Sequence, residues 1–141
     1  KTLMQQERCI SPSDFGYHNS ILGKGKLYFI DFEYAGFDDP AKMVCDFFSQ
    51  PEVPVPSKYL DYFTDEAANN IADTADSKKF KQRINALLPL YKVKWCCIML
   101  NEFLDTDSDR RNFAFGDDGY GDGKAKQLEK ARDYLKIGIY S

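Results

Sequence analysis

Apolar and polar positions follow two rhythms along this chain. Before Pro40 the apolar runs are short and strand-like; after it they recur at helical spacing. Lys1 to Ile10 is polar with scattered apolar residues and reads as the tail of a helix, or as a short strand at Arg8-Cys9-Ile10. Pro12 stops regular structure, and Ser13 to Asn19 is a loop dense in donors and acceptors. Ser20–Leu22 and Lys26–Asp31 read as two short strands, the second rich in β-forming residues. Gly23-Lys24-Gly25 supplies the hairpin turn between them, because glycine tolerates the positive φ of tight turns.

Glu33 to Phe37 is a second loop. Asp38-Asp39-Pro40 then starts a helix: an Asp cap, followed by Pro where its missing N–H costs nothing. This helix is predicted to run to about Phe48, with Val44, Phe47 and Phe48 on one face. Pro51, Pro54 and Pro56 punctuate the next loop. A helix capped by Ser57 is expected through about Ala72, with Tyr59, Leu60, Phe63 and Ala67 aligned; Asp73 to Ser77 is a turn. Lys78 to Leu104 is helical, divided or kinked at Pro89, with Leu87, Leu88, Tyr91, Trp95, Ile98, Met99 and Phe103 buried. Asp105 to Gly123 is a polar, glycine-rich loop, and Lys124 to Ile137 is a last helix with Leu128, Ala131 and Leu135 inward. The expected fold class is α+β, mainly α: a small β-hairpin carrying the polar clusters, then four to five helices, as a single domain over 1–141.

Composition narrows the function classes. The chain is 43% hydrophobic and 15% aromatic, which fits a packed globule rather than disorder. A net charge of −3 gives no field for nucleic acid or an anionic membrane, so neither is expected as a partner. No apolar run approaches the ~20 residues that cross a bilayer, and no signal peptide is visible. Cys9, Cys45, Cys96 and Cys97 contain no Cys-x-x-Cys pair, and His18 is the one histidine, so zinc spacing is lacking. Reduced, buried thiols are expected, and with them a cytoplasmic location. The first residue is Lys1, and the densest polar cluster follows within the next fourteen positions. Both suggest a piece of something longer.

That cluster carries the candidate chemistry. Asp14 and Asn19 share one loop, and Asp31 follows the run Leu27-Tyr28-Phe29-Ile30. Asn19 precedes the first strand of the hairpin and Asp31 ends the second, so tight pairing brings them side by side. Two hard oxygen ligands suit Mg²⁺, which fills its octahedron with water and phosphate oxygens. Asp14 would stand beside such an ion as an unliganded carboxylate, able to orient a substrate hydroxyl and accept its proton.

This arrangement resembles the catalytic half of the protein-kinase-like small-molecule phosphotransferases, the aminoglycoside phosphotransferases and choline/ethanolamine kinases. Asp14-Phe-Gly-Tyr-His-Asn19 matches their Asp-x-x-x-x-Asn loop. Ile30-Asp31-Phe32-Glu33-Tyr34-Ala35 looks most like the choline/ethanolamine kinase branch, and Gly36-Phe37-Asp38-Asp39-Pro40 is similar to the aminoglycoside branch. The resemblance implies a kinase-like C-terminal lobe that uses Mg²⁺ and ATP to phosphorylate a hydroxyl of an amino-alcohol, aminoglycoside or sugar. It makes Asp14 the catalytic base and Asn19 and Asp31 the Mg²⁺ ligands, with Glu33 able to assist. Two departures stand out. Pro12-Ser13 precede Asp14 where the family has His-Gly or His-Asn, and the chain holds no glycine-rich phosphate loop, strand Lys or partner Glu helix. An N-terminal nucleotide lobe of the same protein is therefore an expected partner, and this chain alone is expected to be inactive.

Other readings compete. Asp14-Phe15-Gly16 spells the protein-kinase metal motif, but Ser11-Pro12-Ser13 is a poor strand to precede it, and Asp31 has the better one. Asp14 on its own reads as a turn or capping residue, Asn19 as a loop Asn, and Asp31 as a strand-end Asp. His18 reads as structural, bonding the loop backbone. Asp105-Thr-Asp107-Ser-Asp109 opens like a calcium loop, but Arg110 occupies the invariant glycine position and Gly116 the closing Glu. Trp95 reads as core rather than as a cation–π box for a quaternary amine. A non-catalytic helical binding module is the alternative function. An aspartyl-phosphate phosphohydrolase ranks last, because that chemistry wants Asp-x-Asp where this chain has Glu33, with no α/β repeats after it.

Overall fold

Asp39 and Pro40 start the first helix as their chemistry requires. In the computed structural model, which describes residues 3–70, 77–104 and 120–140, helix α1 spans Pro40–Ser49. The Asp39 carboxylate caps it by accepting the Ala41 N–H at 2.8 Å. At its other end the side chain of buried Gln50 accepts the N–H groups of Glu52 and Val53, each at 3.0 Å, and shapes the proline-rich turn that follows.

The protein is α+β and mainly helical. Four strands precede α1: β1 (Cys9–Ser11), β2 (Ser20–Gly23), β3 (Lys26–Phe29) and β4 (Gly36–Asp38). The expected hairpin is present: β2 pairs antiparallel with β3, Ser20 opposite Phe29 and Gly23 opposite Lys26. The turn differs in detail from expectation. Lys24 and Gly25 hold the positive φ values, 50° and 72°, while Gly23 belongs to the strand. Strand β3 also ends before Asp31, which has φ 62°, a left-handed conformation that cannot continue a strand. A second ladder also forms, its first strand on the stretch read as a helix tail or a short strand and its second where a loop was expected. β1 pairs antiparallel with β4, Cys9 opposite Asp38 and Ser11 opposite Gly36.

The chain forms two compact units, Lys1–Tyr91 and Lys92–Ser141. In the first, α2 (Leu60–Asn70) and the start of α3 (Ser77–Met99) pack on α1. The core there is Ala41, Val44, Cys45, Ala67, Ala68, Phe80 and Ile84, flanked by Phe48, Leu60, Phe63, Leu87, Leu88 and Tyr91. In the second, Cys96, Met99 and Ala131 are buried with Leu100 and Tyr134 beside them, and Ala131 lies on α4 (Tyr120–Tyr140).

Several helical details depart from the pattern. A 3₁₀ turn, Ser57–Tyr59, precedes α2, and Ser57 lies inside that turn rather than capping a helix. Helix α3 is not divided at Pro89 but runs through it. Ile98, Phe103 and Leu135, expected inward, are 40%, 40% and 38% exposed. Helix α4 begins at Tyr120, before the Lys124 start expected. Of the turn expected over 73–77 only Ser77 is described, and it starts α3; the calcium-like stretch 105–116 lies outside the described residues.

One aromatic stack ties α1 to the N-terminal loop. Phe47 is 4% exposed. Its ring lies 4.8 Å from Phe63, 4.9 Å from Phe15, 5.0 Å from Tyr17 and 5.5 Å from Phe48, centroid to centroid. Phe15 in turn meets Phe29 of β3 at 4.9 Å. Phe47→Ala removes the shared ring and is expected to destabilise the protein by about 3–5 kcal/mol. Urea denaturation checks this. A loss below about 1 kcal/mol would mean the stack does not carry the fold.

Candidate functional site

Two loops connect the two ladders. Residues 12–19 run from the end of β1 to the start of β2, and residues 30–35 run from the end of β3 to the start of β4. Because Ser11 pairs with Gly36 and Ser20 with Phe29, both loops leave one ladder together and enter the other together. Pairing at both ends therefore holds the loops alongside one another. Asp14 and Asn19 lie on the first, Asp31 and Glu33 on the second.

Asn19 links the parts. Its side-chain Nδ2 donates to the Asp14 carbonyl at 3.0 Å and to Asp14 Oδ2 at 3.4 Å. Its own backbone carbonyl accepts the Ile30 N–H at 2.9 Å, one residue before Asp31. With Nδ2 turned to Asp14, the amide oxygen of Asn19 is the atom left to meet a cation. Asp31 is exposed in its left-handed conformation, a backbone state uncommon for residues other than glycine and concentrated at functional sites. Glu33 bonds its neighbour Tyr34. That hydrogen bond, and then the Glu33 charge, raise the Tyr34 phenol above its ordinary value, with the Asp31 charge adding in the same direction. The structure thus brings Asp14 and Asn19 into direct contact and bonds the Asn19 backbone to Ile30, the residue before Asp31. Glu33 is engaged with Tyr34.

Two residues gain roles that the sequence reading did not give them. His18 sits in the 3₁₀ turn Tyr17–Asn19, and its Nε2 lies 3.3 Å from Asp14 Oδ2. Lys42, on α1, donates to the Ser13 carbonyl at 2.9 Å and pairs with Asp38 at 2.6 Å and with Asp46 at 3.1 Å. It thereby ties the residue before Asp14 to the first helix. Ser13 itself has φ 72°, and its N–H donates to Ser11 Oγ at 3.1 Å. The signal for Lys42 was legible as i,i+4 spacing to Asp38 and Asp46. Arg83 on α3 pairs with the capping Asp39, fixing the start of α1 from the other side.

Could these residues hold a metal? Among the described residues no group of three or more His, Cys, Asp or Glu side chains is placed to bind an ion. The candidate set is of another kind: an amide oxygen from Asn19 and carboxylates from Asp31 and Glu33. Hard oxygens of these kinds are what Mg²⁺ takes beside water and phosphate. Among the described residues no helix is long and apolar enough to cross a membrane. No family model, curated protein or solved structure matches this chain.

Two expectations follow from the site's surroundings. A Cβ on Gly16 would lie 2.6 Å from His18 Nδ1 and 2.8 Å from the Gln50 side chain. Gly16→Ala should therefore cost about 1–3 kcal/mol and push the imidazole off Asp14. Denaturation together with the His18 ring resonances in NMR checks both. A stable variant with unmoved resonances would refute the close packing.

The second expectation concerns alkaline pH. Burial, with Asp46 and Asp39 beside it, pushes the Cys45 thiol up from 9.0 to about 12. Burial and Asp46 push the Tyr91 phenol from 10.0 to about 12. Lys42 is raised too; partial burial works against its charge, and Asp38 and Asp46 outweigh that. All three folded values exceed the unfolded ones, so the folded state holds more protons at high pH and stability falls there. Stability should be level with respect to these groups below pH 9 and decline toward pH 12. Cys45→Ala should flatten the early part of that decline in a pH series of urea melts. An unchanged slope would remove Cys45 from the account.

Proposed function

We propose that this chain is the C-terminal catalytic lobe of an ATP-dependent small-molecule phosphotransferase that phosphorylates a hydroxyl. The observation that carries the reading is Asn19, bonded through its side chain to Asp14 and through its backbone to the residue before Asp31. These bonds tie Asn19 to Asp14 on one side and to the strand end before Asp31 on the other. Both belong to loops clamped at each end by a ladder.

In this reading Asp14 orients the acceptor hydroxyl and takes its proton as the oxygen attacks the γ-phosphorus. The proton passes to the carboxylate, and ADP leaves with the β-phosphate oxygen. Asn19, Asp31 and Glu33 would hold Mg²⁺, whose charge, when bound, offsets that of the phosphate oxygens. The acceptor belongs to the class of amino-alcohols, aminoglycosides or sugars. The nucleotide lobe lies elsewhere in the same protein, and the cytoplasm, where ATP is held, is its location.

Exposed apolar residues support a lobe-to-lobe surface. Ile10 and Phe37, directly opposite on the β1–β4 ladder, are 73% and 66% exposed, and Leu22 at the hairpin is 75% exposed. The same surface supports the second reading, a non-catalytic binding module. The full-length protein separates the two. Mg²⁺-dependent ATP binding by calorimetry is expected, lost in Asp31→Asn. Asp14→Asn should lower turnover about 10²- to 10⁴-fold while ATP affinity stays within threefold. Undiminished turnover in Asp14→Asn would end the role for Asp14. Absence of Mg²⁺-dependent ATP binding by the full-length protein would favour the binding module.

A further inference from the structure

We propose that His18 is a positioning residue for Asp14, holding one carboxylate oxygen so that the other is presented to the acceptor; the inference rests on the phosphotransferase reading above. Three observations converge on it. The imidazole Nε2 lies 3.3 Å from Asp14 Oδ2, and Asn19 Nδ2 approaches the same oxygen at 3.4 Å. Asn19 donates to Oδ2 and the imidazole lies in close contact with the same oxygen, which in this proposal leaves Oδ1 for the acceptor. Second, the His18 side chain is 16% exposed while that of Asp14 is 51% exposed. A packed ring supports a carboxylate that faces solvent, the arrangement that a fixed geometry and an open acceptor side both need. Third, the ring occupies the space that any side chain at Gly16 would fill, with Nδ1 only 2.6 Å from that Cβ position. The loop makes room for this imidazole at the one residue that can lack a side chain.

The position matters because Asp14 has few other restraints of its own. Its neighbour Phe15 is locked in the aromatic stack, and Ser13 is tied through Lys42, so the backbone is fixed on both sides. The carboxylate can still rotate about its own side-chain bonds. A packed ring in contact with Oδ2 restricts that rotation, and it does so from a rigid group rather than a flexible chain. A hydroxyl arriving at Oδ1 then meets the base in one orientation, without the loss of side-chain entropy that would otherwise accompany the reaction.

The test is a double-mutant cycle in the full-length protein. It reads ADP release from Mg²⁺–ATP with choline, ethanolamine or an aminoglycoside as acceptor, and with water alone. His18→Leu should lower kcat about 10- to 100-fold with little change in the KM for ATP, and His18→Gln, whose amide nitrogen can reach Oδ2, should recover most of the rate. In an Asp14→Ala background His18→Leu should change the residual rate less than about twofold, since nothing is left to position. A normal kcat in His18→Leu, or the same proportional loss in both backgrounds, would overturn the proposal. Where His18→Leu does not fold by thermal melting, His18→Gln against the shorter His18→Asn carries the test. Gln active and Asn impaired supports positioning, and equal rates refute it. Undiminished turnover in Asp14→Ala would instead sink the phosphotransferase reading itself. An inactive Asp14→Ala with a normal His18→Leu would sink only the role of His18.

Discussion

The contact of Phe47 with Phe15 is the interaction on which the rest of the N-terminal unit depends. Phe47 belongs to the first helix and Phe15 to the loop that follows β1, and their rings stack at 4.9 Å. Phe15 then reaches Phe29 on β3, so one ring bridges the helical layer and the hairpin. Neither two-stranded ladder could persist alone, because isolated hairpins are marginal in water. Packing through this ring supplies what they lack. Tyr17, near both Phe29 and Phe47, doubles the bridge from the far side of Gly16. The polar residues of the loop, Asp14 and His18, are thus spaced between anchored aromatics.

Electrostatics on α1 complete the anchoring. Asp46 is fully buried, and a buried carboxylate is costly unless a cation and hydrogen bonds accompany it. Lys42 supplies the cation one turn earlier, and its ammonium spreads over Asp46, Asp38 and the Ser13 carbonyl. The three acceptors come from α1, from β4 and from the loop before Asp14. One charged side chain therefore reads out whether strand, helix and loop are in place together. Arg83, paired with Asp39, extends the same logic to α3. The net contribution of these pairs to stability is small, because the desolvation of Asp46 offsets much of the attraction.

Much of this was legible in the sequence, where local chemistry decides. The Asp39-Pro40 start, the hairpin turn around Lys24-Gly25, and the placing of Val44 and Phe47 inside follow from capping, turn and periodicity rules. The adjacency of Asp14 and Asn19 also followed from their spacing on one loop. The β1–β4 ladder was less legible. Its strands are three residues each and lie far apart in the sequence, and their pairing is long-range, so no local pattern announces it. The division expected at Pro89 is absent for a related reason: the cost of one missing N–H is local, and tertiary packing along α3 overrides it. Ile98 and Leu135 show the limit of periodicity, which names a face without showing how wide its cover is. The place of His18 turned on a void at Gly16, a property of packing rather than of composition.

Two of the left-handed residues, Ser13 and Asp31, connect stability to the site. Ser13 and Asp31 both have positive φ, and each such residue without glycine costs about 1–2 kcal/mol. They lie at corresponding points, one at the entry to the loop of residues 12–19 and one at the entry to the loop of residues 30–35. A chain free at either end would relax this strain by rotating the residue out of the left-handed region. Here it cannot, because each loop is held by a ladder before and after it, and Ser13 is further held by Lys42 and Ser11. The strain turns each loop sharply as it leaves its strand, and that turn lets Asp14 and Asp31 stand clear of the ladders. The ladders and the aromatic stack therefore do more than shelter the polar cluster. They supply the energy that keeps two unfavourable backbone states occupied, and those states put the candidate base and the candidate metal ligand where solvent and a substrate can reach them.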